Sequence, residues 1–143
     1  MVEAPRQGGG LKVSILKQYS VFMANRPGSL AKLTALFGDA NVNIVGIASE
    51  VRDDSGLVRI AVEGDGDTSG ILSRAGFASV ESRLLSVEAE DTPGSLAEIS
   101  KRLGDGGINI TTVYGTSLST QVSRILVAVE NADDAYKLLA AGE

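Results

Sequence analysis

The chain has no cysteine and no histidine among its 143 residues. Thiol nucleophiles, imidazole general bases and the usual zinc or haem ligands are therefore excluded. Disulfides are excluded too, which fits a reducing compartment. Tryptophan is absent, and with only three Phe and three Tyr the core must be mostly aliphatic, although 43% of residues are hydrophobic. A net charge of −5 argues against a nucleic-acid or anionic-membrane partner, and RNA binding would also want stacking aromatics on a sheet. No apolar run approaches the roughly 18–20 residues of a membrane span, and MVEAPRQGGG lacks the apolar segment of a signal peptide. The expectation is a soluble cytoplasmic protein with no cofactor and no metal. Residues 1–10 read as a flexible tail or an expression remnant.

Proline is scarce as well, and two of the three prolines occupy the same place in a repeat. NRPGSLAKLTALFGDANVNIVG, residues 25–46, recurs without a gap as DTPGSLAEISKRLGDGGINITT, residues 91–112, an offset of 66 (25 to 91). A repeat of fixed period is the strongest organising signal in a sequence. It makes this chain two copies of one small unit.

Each copy reads β-α-β-β-α. In the first, Lys12–Leu16 and Tyr19–Ala24 read as strand segments divided at Lys17-Gln18, with Val13, Ile15, Tyr19, Val21 and Met23 sharing parity. Leu30, Leu33, Leu36 and Phe37 recur at helical spacing, so 28–37 is a helix, with Gly38 as its stop. Val42–Ser49 and Leu57–Glu63 read as strands joined by a hairpin loop at 52–56. A short helix begins within 65–68 and ends near Gly76. In the second copy, Leu84–Glu90, Ile108–Gly115 and Arg124–Glu130 are strands, the first helix stops at Gly104, and Asp133–Ala141 is the last helix. Phe77–Ser82 completes copy one, and a change of parity near 81–83 predicts a kink before Leu84. The corresponding last strand of copy two would begin beyond Glu143, so Lys12–Leu16 is expected to fill that edge, within the chain or by exchange between chains. The expected domains are 11–83, including the strand 12–16 that completes the second unit, and 84–143.

A βαββαβ unit with [ND]-x-P-G-x-L at its first turn and V/I-N-I at its second strand resembles the ACT domain, the small regulatory module of amino-acid metabolism. Over nearly the whole chain, the sequence is similar to stand-alone tandem ACT proteins. The resemblance implies an α+β, ferredoxin-like fold with an antiparallel sheet and helices on one face. It implies a non-catalytic regulatory protein whose units pair side by side and sense a small amino acid at ACT–ACT interfaces. The implied ligand-binding residues are Asn25, Pro27, Gly28, Ser29, Leu30, Asn43 and Ile44. In copy two they are Asp91, Pro93, Gly94, Ser95, Leu96, Asn109 and Ile110. The NRPG-x-L and VNI pattern of copy one is similar to the serine-binding ACT domains of phosphoglycerate dehydrogenases; Asp91 departs from it in copy two. The resemblance also implies a homodimer and an allosteric role. The alternative is a regulatory subunit of a biosynthetic enzyme such as acetolactate synthase.

The residues themselves allow this chemistry. A helix N-terminus near Gly28–Leu30 offers unpaired N–H groups and a positive dipole end to a carboxylate. Asn25 and Asn43 can both donate and accept, whereas an ionised Asp91 only accepts. A purely structural role competes, because Pro-Gly turns start many helices and Asn or Asp often only caps them. Asp53-Asp54 and Asp65-Gly66-Asp67 lack the ligand count of a calcium site and read as solvated turns. No carboxylate pair recurs with the repeat in a way that would support acid–base catalysis.

Overall fold

The computed structural model describes residues 11–64 and 66–141; the tail read at 1–10 lies outside them. Ten elements follow in order: β1 (Lys12–Ala24), α1 (Ser29–Asp39), β2 (Ile44–Arg52), β3 (Ser55–Val62), α2 (Thr68–Arg74), β4 (Ala78–Glu90), α3 (Ser95–Asp105), β5 (Ile110–Ser117), β6 (Val122–Val129) and α4 (Ala132–Ala141). The fold is α+β, with antiparallel strands and the β-α-β-β-α order given twice. Among the described residues, no helix is long and apolar enough to cross a membrane.

The chain forms two compact units, one of residues 16–82 and the other of residues 11–15 with 83–141. In the first, the strand order is β2-β3-β1-β4. Tyr19 pairs with Ile60 and Val21 with Val58, which puts alternate residues of both strands on one face. Leu33 and Phe37 of α1 and Leu72 of α2 join that face in a single buried cluster, so both helices lie on one side. The second unit has the order β1-β4-β6-β5. There Leu85 and Val87 pair with Val127 and Ile125 and bury against Ile99 and Leu103 of α3 and Ala135 and Leu139 of α4.

β1 and β4 are each one continuous 13-residue strand. The division expected at Lys17-Gln18 and the break expected near 81–83 are not interruptions of the strands. They fall close to the borders at Ile15/Leu16 and Ser82/Arg83, where each strand passes from one unit to the other. Val13 and Ile15 accordingly pack on the Leu85 cluster, while Tyr19, Val21 and Met23 belong to the Tyr19 cluster. The common parity of these residues spans two cores.

Helix ends also differ from the sequence reading. Gly38 and Gly104 lie inside α1 and α3; the left-handed residues are Asn41, at φ 58, and Gly107, at φ 75. Val42 N–H donates to Phe37 C=O and Asn41 N–H to Gly38 C=O, and Ile108 and Gly107 repeat this with Leu103 and Gly104. These paired bonds form the Schellman arrangement that satisfies the last carbonyls of a helix. Leaving the helix this way sets where β2 and β5 begin.

Candidate ligand site at the repeated turn

The turn before α1 is built from its residue types. Ser29 N–H donates to Arg26 C=O over 3.1 Å, Pro27 holds the second position, and Gly28 sits at φ 87, ψ −13. That is a type II turn, which requires positive φ at its third residue. Thr92-Pro93-Gly94-Ser95 repeats it, with a 3.2 Å bond and Gly94 at φ 95, ψ −12. A Cβ placed on Gly28 or Gly94 would meet nothing within 4 Å. In the chain by itself, backbone conformation rather than crowding explains these glycines.

The turn is fastened to the neighbouring hairpin. Asn25 N–H donates to Asp54 C=O over 2.9 Å, and Asn25 Nδ2 donates to Asp53 C=O over 3.0 Å. In copy two, Asp91 N–H makes the matching bond to Gln121 C=O, 2.8 Å. The hairpins themselves differ. β2 and β3 are joined by Asp53-Asp54, with Asp53 at φ 55, whereas β5 and β6 are joined by residues 118–121, where Ser119 Oγ accepts from Gln121 and Val122 N–H.

Neither α1 nor α3 has a side chain capping its N-terminus; Ser29 and Ser95 N–H donate within their turns, and the N–H groups that follow have no acceptor within the helix. The two copies diverge at the serine. Ser95 Oγ donates to Glu90 C=O over 2.7 Å and also contacts Thr92 Oγ1 at 2.9 Å. Arg26 stands where copy two has Thr92, so Ser29 has no such neighbour. Leu30 and Leu96, on the same turns, are 43% and 47% exposed.

Asn43 lies at the other end of the sheet. Its Nδ2 donates to Glu63 Oε1 over 2.8 Å, and Glu63 N–H donates to Asn43 C=O. The Asn25 turn is level with Ser55 of β3, where Ala24 pairs, and Asn43 lies beyond Ile44, which pairs with Val62. Those levels are separated by about 24 Å of strand. Asp91 and Asn109 are separated in the same way along β6, since Glu90 pairs with Val122 and Ile110 with Val129. Within one unit, then, the structure brings Asn25, Pro27, Gly28, Ser29 and Leu30 together, and Asp91, Pro93, Gly94, Ser95 and Leu96 together. It does not bring Asn43 and Ile44, or Asn109 and Ile110, to the turn of their own unit.

Two features near these residues were not read from the sequence. Register shifts interrupt the ladder between Ile44 and Gly46 and between Ile110 and Thr112. A bulge of this kind bends a strand and re-aims its side chains, and it occurs at the same step in both copies. In addition, Asn109 lines a cleft of about 620 Å³ with Glu130, Asn131, Asp134 and Lys137. Nothing in the local sequence signals either one. The Arg124 side chain is only 14% exposed and pairs with Glu88 at 3.6 Å, and Asp67, in the turn read as solvated, caps α2 by accepting from Gly70 N–H over 3.1 Å. Among the described residues no acidic cluster is arranged to hold a metal ion.

Residues 20–76 match the family model of the ACT domain. This stretch begins in the second half of β1 and ends at Gly76, within the unit of residues 16–82. No curated protein matches the sequence. Among solved structures, a protein from Bacteroides thetaiotaomicron shares the fold with a TM-score of 0.80 at 22% identity, over 90% of this chain and 89% of that one. The ligand-free regulatory subunit of aspartate kinase from Thermus thermophilus gives a TM-score of 0.67 at 14% identity, over 92% of this chain and 95% of that one. Aspartokinase alpha and beta subunits give 0.63 at 19% identity, with the same coverage.

Proposed function

We propose that this chain is a non-catalytic, ligand-sensing regulatory protein made of two ACT units, and that it binds a small amino acid. In this reading the second unit is residues 84–143 completed by the strand 12–16. The observation that carries the proposal is the ACT domain at residues 20–76, whose first turn ends in an uncapped helix N-terminus. Backbone N–H groups there suit the ligand carboxylate, and the Asn25 and Asn43 side chains suit its ammonium through their amide oxygens.

The distance between the two asparagines shapes the proposal. A small amino acid cannot touch both ends of a strand some 24 Å long. Asn25, Pro27, Gly28, Ser29 and Leu30 of one chain therefore meet Asn43 and Ile44 of a second copy, across a two-fold axis that sets their β2 edges antiparallel. The protein is a homodimer in this reading, and ligand acts by tightening the contact between copies. The turn of copy one is the better site. Its Ser29 lacks the Thr92-type neighbour that engages Ser95, and Arg26 adds a positive charge for the carboxylate. Asp91, Pro93, Gly94, Ser95 and Leu96, with Asn109 and Ile110, form the weaker counterpart.

A second reading has its own support. Likeness to an aspartate kinase regulatory subunit across 92% of the chain favours a regulatory subunit of an amino-acid biosynthetic enzyme, with the enzyme as partner. A thermal-shift screen of the purified chain against the twenty amino acids tests the sensor reading, because ligand that binds only the native state raises the melting temperature. A rise with one or a few amino acids, lost in Asn25→Ala, supports it. No rise with any of them, together with co-purification of a catalytic subunit, supports the second reading instead.

A further inference from the structure

On the helix-free face of residues 16–82, beside the β2–β3 turn, lies a concave surface of about 360 Å³. That is within the size range of small-molecule pockets. Its floor is one cross-strand row in which Phe22 of β1 pairs with Leu57 of β3, and Leu57 with Glu50 of β2. The Phe22 side chain is 51% exposed, an aromatic surface left open at the pocket. Ser55 and Arg52 border the row on the hairpin side, and Arg59 borders it on the other.

The charges around this floor are unequal. Arg59 is paired with Glu50, and that pairing holds the Glu50 carboxyl below the usual carboxylate range. Arg52 makes no ion pair among the described residues. The pocket therefore presents the apolar surface of Phe22 and Leu57 beside the Glu50–Arg59 pair, with Arg52 at its rim, outside any direct ion pair although its charge also acts on Glu50.

The repeat supplies an internal control. The matching row of copy two is Glu88, Arg124 and Thr116. There Glu88 and Arg124 pair at 3.6 Å, with side chains 20% and 14% exposed. An ion pair occupies the floor that Phe22 and Leu57 form in copy one. The fold is built without the open aromatic or the unpaired cation, so neither is a requirement of the architecture.

We propose that this surface is a second ligand site, separate from the repeated turn, for an apolar carboxylic acid. The carboxylate lies on Arg52, whose planar fork matches it in a bidentate pair. The hydrocarbon or aryl body lies on Phe22 and Leu57. A doubly charged phosphate would meet only one guanidinium outside an ion pair, with Glu50 nearby and Asp53 and Asp54 next in the chain. An amino acid would bring an ammonium beside Arg52, with Glu50 already engaged by Arg59. A monoanion with an apolar body satisfies both the charge and the surface.

The test is a titration of the full chain with 3-phenylpropanoate, followed by nitrogen-edited NMR, with phenylalanine as the same body carrying an added ammonium. Saturable shifts are expected at the Gly56 and Leu57 amides and not at Gly28 and Ser29. Arg52→Gln and Phe22→Ser should each weaken binding about ten-fold or more, as loss of a charge-assisted contact or of the stacking surface does. The position of the shifts, at Gly56 and Leu57 and not at Gly28 and Ser29, separates this site from the amino-acid site. Both altered side chains are exposed, and a preserved amide spectrum verifies the fold of each variant. No saturable shift in the wild-type chain overturns the proposal. So does equal affinity in Arg52→Gln, equal affinity for phenylalanine, or shifts centred on the repeated turn.

Discussion

Gly28 separates a conformational role from a ligand-approach role by the sign of a stability change. An L-residue at φ 87 bears a strain of about 1–2 kcal/mol. Replacing glycine with alanine also stiffens the unfolded chain, which returns about 0.4–1 kcal/mol. No atom within 4 Å would meet the new Cβ, so no clash is added. Gly28→Ala should therefore destabilise the protein by about 1 kcal/mol, and Gly94→Ala, at φ 95, should do the same. Gly38 is the control. It lies inside α1 without positive φ and is equally uncrowded, so Gly38→Ala should stabilise by about 0.5–1 kcal/mol. Urea denaturation measures all three, with midpoints moving in opposite directions at constant slope. If Gly28→Ala and Gly38→Ala shifted the midpoint equally, the type II turn would not be the reason for glycine. If Gly28→Ala kept full stability and lost amino-acid binding, close approach of a ligand would be the reason instead.

Burial, and then the nearby Glu81, raise the Tyr19 hydroxyl above its ordinary 10.0. A raised native value means stability that is present below pH 10 and lost as pH rises through it. Urea melts across that range should show the wild type falling more steeply than Tyr19→Phe; parallel curves would contradict this. Gly106→Ala would place a Cβ 2.7 Å from Leu138 Cδ2, the end of a half-buried side chain that can move aside, so the change should cost no more than about 1 kcal/mol. The loss should shrink in a Leu138→Ala background, and simple additivity of the two changes would refute the contact.

Much of the architecture was legible because the repeat printed it twice. Paired Pro-Gly turns announced both helices, and Val58, Ile60 and Val62 alternated as a strand with one buried face. What stayed hidden was hidden for physical reasons. Val13 to Met23 keep one parity across β1, so hydrophobic period alone cannot reveal that the strand serves two cores. Gly38 looked like a helix stop because glycine favours left-handed conformations, yet Asn41 tolerates the same region and takes the role. The bulge after Ile44 leaves no mark, since one extra extended residue looks like any other. The separation of Asn25 from Asn43 could have been read, because a strand, a helix and a strand in series begin and end at opposite edges. The family resemblance placed both residues at one ligand and left open which copies supply them.

A complementation experiment tests the central claim most directly. Asn25→Ala and Asn43→Ala chains are purified separately, shown to bind no amino acid, then mixed, allowed to exchange, and titrated calorimetrically with the amino acid that raises the wild-type melting temperature. If each site joins the turn of one copy to Asn43 of another, every mixed dimer rebuilds one intact site. Random reassortment then restores about a quarter of the wild-type capacity at wild-type affinity. A mixture that stays silent, or variants that each bind fully on their own, would contradict a shared amino-acid site at the repeated turn.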